Sequence, residues 1–329
     1  MFRNLTAYAL LMALGMALFA PQTHAAAQRD DGIIWYTPVT ADDDAQVVYE
    51  EKLADAPVEP APAQNCALAE SPFMIAWLAA GPRQSADNIH QRMRVVIVID
   101  DMGVDKKRSA RMARLSSTLT LSYLPYAHNV QQQADAAAAM GHEIMMHVPM
   151  LPEGANIDPG PNVLRGDIPA AELRARILAN LDAFDGYSGI NNHMGSRFTQ
   201  DRAGLEMLMA ELRKRGLFFL DSKTHAKSIA GQVAAEAGVL TAQRDVFIDH
   251  VETPQAVAKA LALVEHDARR HGVAIAIGHP KDVTIEGLAS WLPTLKEKGI
   301  EVVRLGDLLK ERRKDVLQAV RQTAAAPSP

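Results

Sequence analysis

Between Val95 and Val303, short apolar runs alternate with longer segments of helical pattern, and this alternation constrains the fold more than any other feature of the chain. The clearest runs are VVIVI at 95–99, LFFL at 217–220 and VAIAI at 273–277. A short, continuously apolar run set between helix-length segments reads as a strand buried on both faces. Strand–helix repetition over about 220 residues implies a parallel sheet with right-handed crossovers. Seven to eight such units favour an α/β fold closed, or nearly closed, as a (β/α) barrel. No glycine-rich turn follows the first strand, so the open dinucleotide-binding fold lacks its phosphate cradle.

Further strands are expected at 119–124, 143–147, 189–192, 246–248 and 301–303. Helices are expected at 106–115, 130–140, 169–184, 228–237, 253–271 and 285–298, with another ending near Arg215 and Gly216. Asn129 reads as an N-cap, Pro169 suits a first helical turn, and Gly141 and Gly272 suit helix ends.

The flanks are different material. Arg3 precedes an apolar stretch, Leu5 to Phe19, which Pro21 and small residues follow; residues 1–27 therefore read as a cleavable export signal. A run this short is not expected to remain as a membrane span, which needs roughly 20 residues. Residues 28–90 hold eleven acidic and three basic side chains and a Pro/Ala stretch, an extension or linker with a possible role in binding an envelope protein. Within it, Phe73–Leu78 is an apolar island suited to docking on the domain. Residues 91–312 hold twenty-seven charges of each sign, so the net charge of −5 belongs to the extension and no basic field points to nucleic acid. Residues 313–329 read as a disordered tail. Cys66 is the single cysteine, which excludes an intrachain disulfide and a thiolate metal cluster. The expected location is the periplasm or the exterior.

Polar residues gather where barrel chemistry is done, at the C-terminal ends of strands. The strands end in Asp100-Asp101, His147, Asn191-Asn192-His193, Asp221, Asp249-His250 and His279. Two adjacent carboxylates repel unless a cation sits between them, and one can bind the ion while the other faces a reacting water. His147 and His193, with one of these aspartates, make a triad suited to zinc or another divalent ion in hydrolysis. His279, delivered by an apolar strand and stopped by Pro280, suits proton donation. Asp221 and Asp249 are candidates to orient that imidazole, and equally candidates to cap helices. His250 is secondary. In the polar turn after strand four, Asn192, Ser196 and Arg197 are candidate substrate-binding residues, with Lys223 a weaker one. His128, His142, His225, His266 and His271 fall in loops or on helices and read as solvated.

Taken in order, VVIVIDDMG at 95–103, EIMMHVPM at 143–150, GINNHMGSRFT at 189–199, FLDSKT at 219–224, RDVFIDH at 244–250 and IAIGHP at 275–280 resemble the divergent polysaccharide deacetylase family. The resemblance covers about Arg94 to Leu309. It implies a distorted (β/α) barrel of seven to eight parallel strands and metal-dependent removal of acetyl groups from a polysaccharide or oligosaccharide. Asp100 then matches the general base, Asp101 the first metal ligand, His147 a histidine ligand and His279 the general acid. The classical pattern places a second ligand four residues after the first histidine, where Leu151 stands here, and its arginine motif after strand four is absent. His193 stands in that region as the replacement ligand. The alternative is a non-catalytic envelope protein that binds glycan or protein on the same fold.

Overall fold

The computed structural model describes residues 93–115, 118–154 and 157–325, and three two-residue strands nearer the N-terminus. The chain forms two compact units, Met1–Asp55 and Ala56–Pro329. In the first, Arg29–Asp30, Ile33–Ile34 and Glu51–Lys52 make a small antiparallel sheet. The expected signal, Cys66, the apolar island and most of the 28–90 extension lie outside the described residues.

The second unit holds a nine-stranded, wholly parallel sheet. Its strands are β1 (Met93–Met102), β2 (Thr120–Tyr123), β3 (Glu143–Met150), β4 (Gly189–Met194), β5 (Phe218–Asp221), β6 (Thr241–Gln243), β7 (Val246–Phe247), β8 (Val273–Gly278) and β9 (Ile300–Val302). The order is β7-β8-β1-β2-β3-β4-β5-β6, with β9 paired to the start of β1. Helices α1 (Lys106–Met112), α2 (Val130–Ala139), α3 (Ala170–Leu181), α4 (Arg202–Arg215), α5 (Ala230–Glu236), α6 (Pro254–His271), α7 (Asp282–Trp291) and α8 (Leu305–Ala325) alternate with the strands. This is the (β/α) barrel expected from the alternation, distorted as the family resemblance implies and with nine strands where seven to eight were expected.

The barrel closes through one bent segment. β6 extends the sheet from β5, and two residues later β7 pairs with β8. At the bend the Arg244 N–H donates to Asp221 O (3.0 Å), and the next N–H, of Asp245, donates to Ile275 O (2.8 Å). Consecutive residues thus serve opposite edges of the gap. The sequence did not announce β6, because Thr-Ala-Gln carries no apolar run.

Period-two alternation sorts the strand residues into two cores. Val95, Ile97, Ile99, Met146, Val148, Ile190 and Phe219 face outward, against the helices. Val96, Val98, Met145, Leu220, Ile275 and Ile277 face inward and pack with Leu305, Leu308 and Leu309 of α8, which plugs the bottom of the barrel. No Gly or Pro stands between Gly306 and Pro327, and α8 runs to Ala325, through most of the stretch expected as a tail. One cap differs from expectation: Asn129 precedes α2 with φ +58° but makes no side-chain cap.

The plug is anchored by a carboxylate. Both Glu143 oxygens accept from the Gly306 N–H at 3.0 Å, and they also accept from Thr120 Oγ1 and Ser188 Oγ, each at 3.0 Å. An acidic group at the first turn of α8 also favours the helix dipole. A Cβ at position 306 would lie 2.3 Å from Glu143 Oε1, so any side chain there would push the anchoring carboxylate aside. Glu143→Ala strands these donors at the barrel floor and is expected to cost about 2 kcal/mol of stability. Chemical denaturation checks this, with an unchanged midpoint contradicting the anchoring role.

Candidate metal centre

The same alternation that builds the inner core continues past it into the barrel mouth. Asp100 follows Val96 and Val98, His147 follows Met145, Ser222 follows Leu220, and His279 follows Ile275 and Ile277. Asn191 lies in register with His147 on the neighbouring strand, and His193 stands two residues further on. Asp101 should face outward by this count. It is turned back by a left-handed backbone (φ +54°), and the β1–β2 register shifts between Ile99 and Met102. Consecutive carboxylates therefore share one mouth. After His193, Met194 (φ +53°) and Gly195 (φ +93°) turn the chain away sharply.

Asp101, His147 and His193 each offer one ligand atom, and these atoms lie within 4.8 Å of one another. Asp101 Oδ1 is 3.0 Å from His193 Nδ1 and 3.4 Å from His147 Nε2. That oxygen is buried without a hydrogen-bond partner, as expected of an atom meant for a cation. The two imidazoles meet edge to face at 4.9 Å between centroids. One carboxylate and two imidazoles from three strands, facing an open mouth, fit a divalent ion of the zinc type with positions left for water and substrate.

Asp100 lies beside the triad, buried, with Oδ2 3.6 Å from His147 Nε2. Asn191 Nδ2 donates to its two oxygens at 2.8 and 2.9 Å and to Ser222 Oγ at 3.0 Å. Asn191 Oδ1 lies 2.9 Å from His147 Nδ1 and accepts from Ser122 Oγ at 2.6 Å. On the other side of Asp101, His279 Nε2 is 3.8 Å from Asp101 Oδ2. Asp249, fully buried, holds this imidazole. Its Oδ1 is 2.9 Å from His279 Nδ1, and its Oδ2 accepts from the His279 N–H (2.6 Å) and Thr284 Oγ1 (2.7 Å). The Phe247 ring meets His279 edge-on at 5.4 Å.

The adjacent aspartates titrate apart. Burial raises the pKa of Asp100, a push that His147 and His279 only partly offset. Burial opposes ionisation of Asp101 too, but the imidazoles of His147, His193 and His279 hold it well below the usual range. Burial disfavours charge on His147 and His279, yet facing carboxylates win in both. Asp100 and Asp101 raise His147, and Asp249, with Asp101 and Asp100, pushes His279 up to about 9. Asp249 is correspondingly lowered against its own burial.

The other expected residues are placed elsewhere. Asp221 caps its own turn, accepting from the Lys223 N–H and Ser228 Oγ, each at 2.8 Å. Asn192 staples β4 to the turn after β5, accepting from the Ser222 N–H (2.9 Å) and donating to Met194 O (2.7 Å). Ser196 Oγ accepts from the Glu153 N–H at 2.9 Å. Arg197 is exposed and lines a pocket of about 280 Å³ with Leu151, Asp167 and Gln200. Lys223 has a left-handed backbone (φ +57°). His250 packs near Phe247, 6.0 Å between ring centroids. Contrary to the solvated reading, His142 and His225 are buried. His142 Nε2 lies 2.6 Å from Ala113 O, and His225 Nδ1 accepts from the Lys227 N–H. Asn191, Ser122, Ser222 and Thr284 were not assigned roles from sequence, although strand parity could have found the first three.

A cation on His147 Nε2 must displace the proton its carboxylate neighbours favour. Zinc affinity is therefore expected to rise as pH passes through and above the usual imidazole range, with proton release on binding. Calorimetric titration in buffers of different ionisation heat measures this, and pH-independent binding without proton release would contradict the ligand set.

A family model described as divergent polysaccharide deacetylase matches residues 97–309. An uncharacterised protein of Haemophilus influenzae is 35% identical over 221 residues, spanning 67% of this chain and 78% of its own. The uncharacterised protein YibQ of Escherichia coli is 31% identical over 225 residues, spanning 68% and 69%. Among solved structures, an uncharacterised protein of Agrobacterium tumefaciens has a TM-score of 0.64 at 29% identity, covering 72% of this chain and 95% of that one.

Proposed function

Because the chain belongs to the divergent polysaccharide deacetylase family, we propose that it is an exported, metal-dependent hydrolase that removes acetyl groups from a glycan. The observation that carries the reading is the open triad of Asp101, His147 and His193, flanked by a second carboxylate on one side and a His–Asp pair on the other. Zinc is the ion this donor set suits best. Bound there, it supplies polarisation of the acetyl carbonyl and acidification of a water.

The chain's own residues do the rest. Asp100, a carboxylate whose pKa burial raises, takes the proton of the attacking water. His279, charged at neutral pH because Asp249 holds its Nδ1, delivers a proton from Nε2 to the departing nitrogen or oxygen. Asp249 is a positioning residue, since it touches the imidazole and not the reacting atoms. Arg197, on the rim, is proposed to meet polar or anionic groups of the glycan.

Export is supported by Arg3 and the apolar stretch Leu5–Phe19, and places the enzyme in the periplasm or outside the cell. No helix among the described residues is long and apolar enough to cross a membrane. The acidic 28–90 segment is proposed as a spacer or a partner-binding arm.

Acetate release from N-acetylated and O-acetylated oligosaccharides tests the reaction. The zinc-loaded protein is expected to release acetate, and Asp100→Asn to keep zinc while losing about 10²- to 10⁴-fold in kcat. Metal binding with no release from any acetylated oligomer would leave a glycan-binding role instead. The pH profile tests the acid. Activity is expected to fall as pH rises through about 9, where His279 loses its proton. Asp249→Asn removes the charge that raises this pKa, so the fall moves to lower pH; an unmoved alkaline limb would exclude His279 as the proton donor.

A further inference from the structure

Every hydrogen-bonding capacity of Asn191 is used, and in a fixed sense. Asp100 stands on one side, and at least one of its two oxygens is always a bare acceptor, which an amide oxygen could not face at this distance. The amide group facing both its oxygens, at 2.8 and 2.9 Å, must therefore be the NH₂. The carbonyl oxygen then faces His147, so Nδ1 of that ring, 2.9 Å away, must carry the hydrogen. In the neutral ring His147 Nε2 then carries the lone pair, directed toward Asp101. Ser222 Oγ (3.0 Å) and Ser122 Oγ (2.6 Å) complete the amide's partners, and since a hydroxyl can donate or accept, it is Asp100 that sets the sense of the amide. The side chain is fully buried.

The geometry points to Asn191 as a positioning residue with two separable tasks: it fixes the His147 tautomer that binds metal through Nε2, and it aims the Asp100 carboxylate at the reacting water. The second task rests on the hydrolytic reading of the site, whereas the first does not. The tasks reside on different atoms of one amide, Oδ1 and Nδ2, and isosteric changes separate them. Asn191→Leu keeps the shape and removes both functions. Asn191→Asp keeps an acceptor for His147 Nδ1 and replaces the donor to Asp100 with a like charge, which displaces that carboxylate.

Zinc affinity is measured by chelator competition, and kcat and KM by acetate release from N-acetylchitopentaose. N191L is expected to bind zinc 10- to 100-fold more weakly. N191D is expected to bind zinc at least as tightly as the wild type, with kcat down about 100-fold and KM little changed. A purely structural residue would weaken both readouts together in both variants. Wild-type zinc affinity in N191L overturns the tautomer task, and wild-type kcat in N191D overturns the aiming task. Should N191L fail to fold, N191S carries the same expectation for zinc. Should N191D fail to fold, D100N/N191D restores a donor opposite the new carboxylate; it is expected to fold and hold zinc, and loss of zinc there overturns the tautomer task. If the wild type releases no acetate, the hydrolytic reading fails while the zinc measurements still decide the first task.

Discussion

Two carboxylates on consecutive residues at the end of a strand whose middle is wholly buried are the constraint to which the rest of the barrel mouth answers. In low dielectric, neighbouring negative charges cost far more than on a surface, and the cost is met only by hydrogen bonds or positive charge. Asp100 receives an amide that donates to both its oxygens. Asp101, which the strand would have pointed at the helices, is turned inward and meets three imidazoles. The outcome is a division of labour: one carboxylate is raised by burial and suited to hold a proton, and the other is lowered and suited to hold a cation.

The division depends on rigidity beneath it. The inner core of the barrel ends directly under the site, and α8 closes the floor through Glu143 and Gly306. The side chains that form the centre all leave from strands or from the first residues beyond them, so their spacing follows the sheet register rather than loop conformation. Asp249, across the closing bend, reaches His279 by both a backbone and a side-chain bond, which fixes the ring and its charge together.

Much of this was legible in the sequence because strand parity is legible. Once Val96 and Val98 are taken as inward, Asp100 follows, and Ile275 and Ile277 likewise deliver His279. The triad Asp101, His147 and His193 was readable from strand ends, although parity alone would have turned Asp101 away; its left-handed backbone depends on tertiary context. Asp221 and Asp249 looked alike as aspartates at strand ends, and only the fold shows that one caps a turn while the other holds an imidazole. β6 was invisible because three residues with one apolar side chain carry no pattern, yet it supplies the closing bend. His225 and His142 illustrate the reverse error, since loop position suggested solvent and packing buried both.

In the proposed centre one divalent ion sits on Asp101, His147 and His193, while Asp100 and His279 stay outside the ligand set and move protons. Anomalous diffraction at the zinc edge from zinc-loaded crystals would locate that ion. One ion is expected, bonded to those three side chains at about 2.0–2.2 Å, with its remaining positions open to the mouth. An ion bound elsewhere, or one that takes Asp100 or His279 in place of a member of the triad, would contradict it.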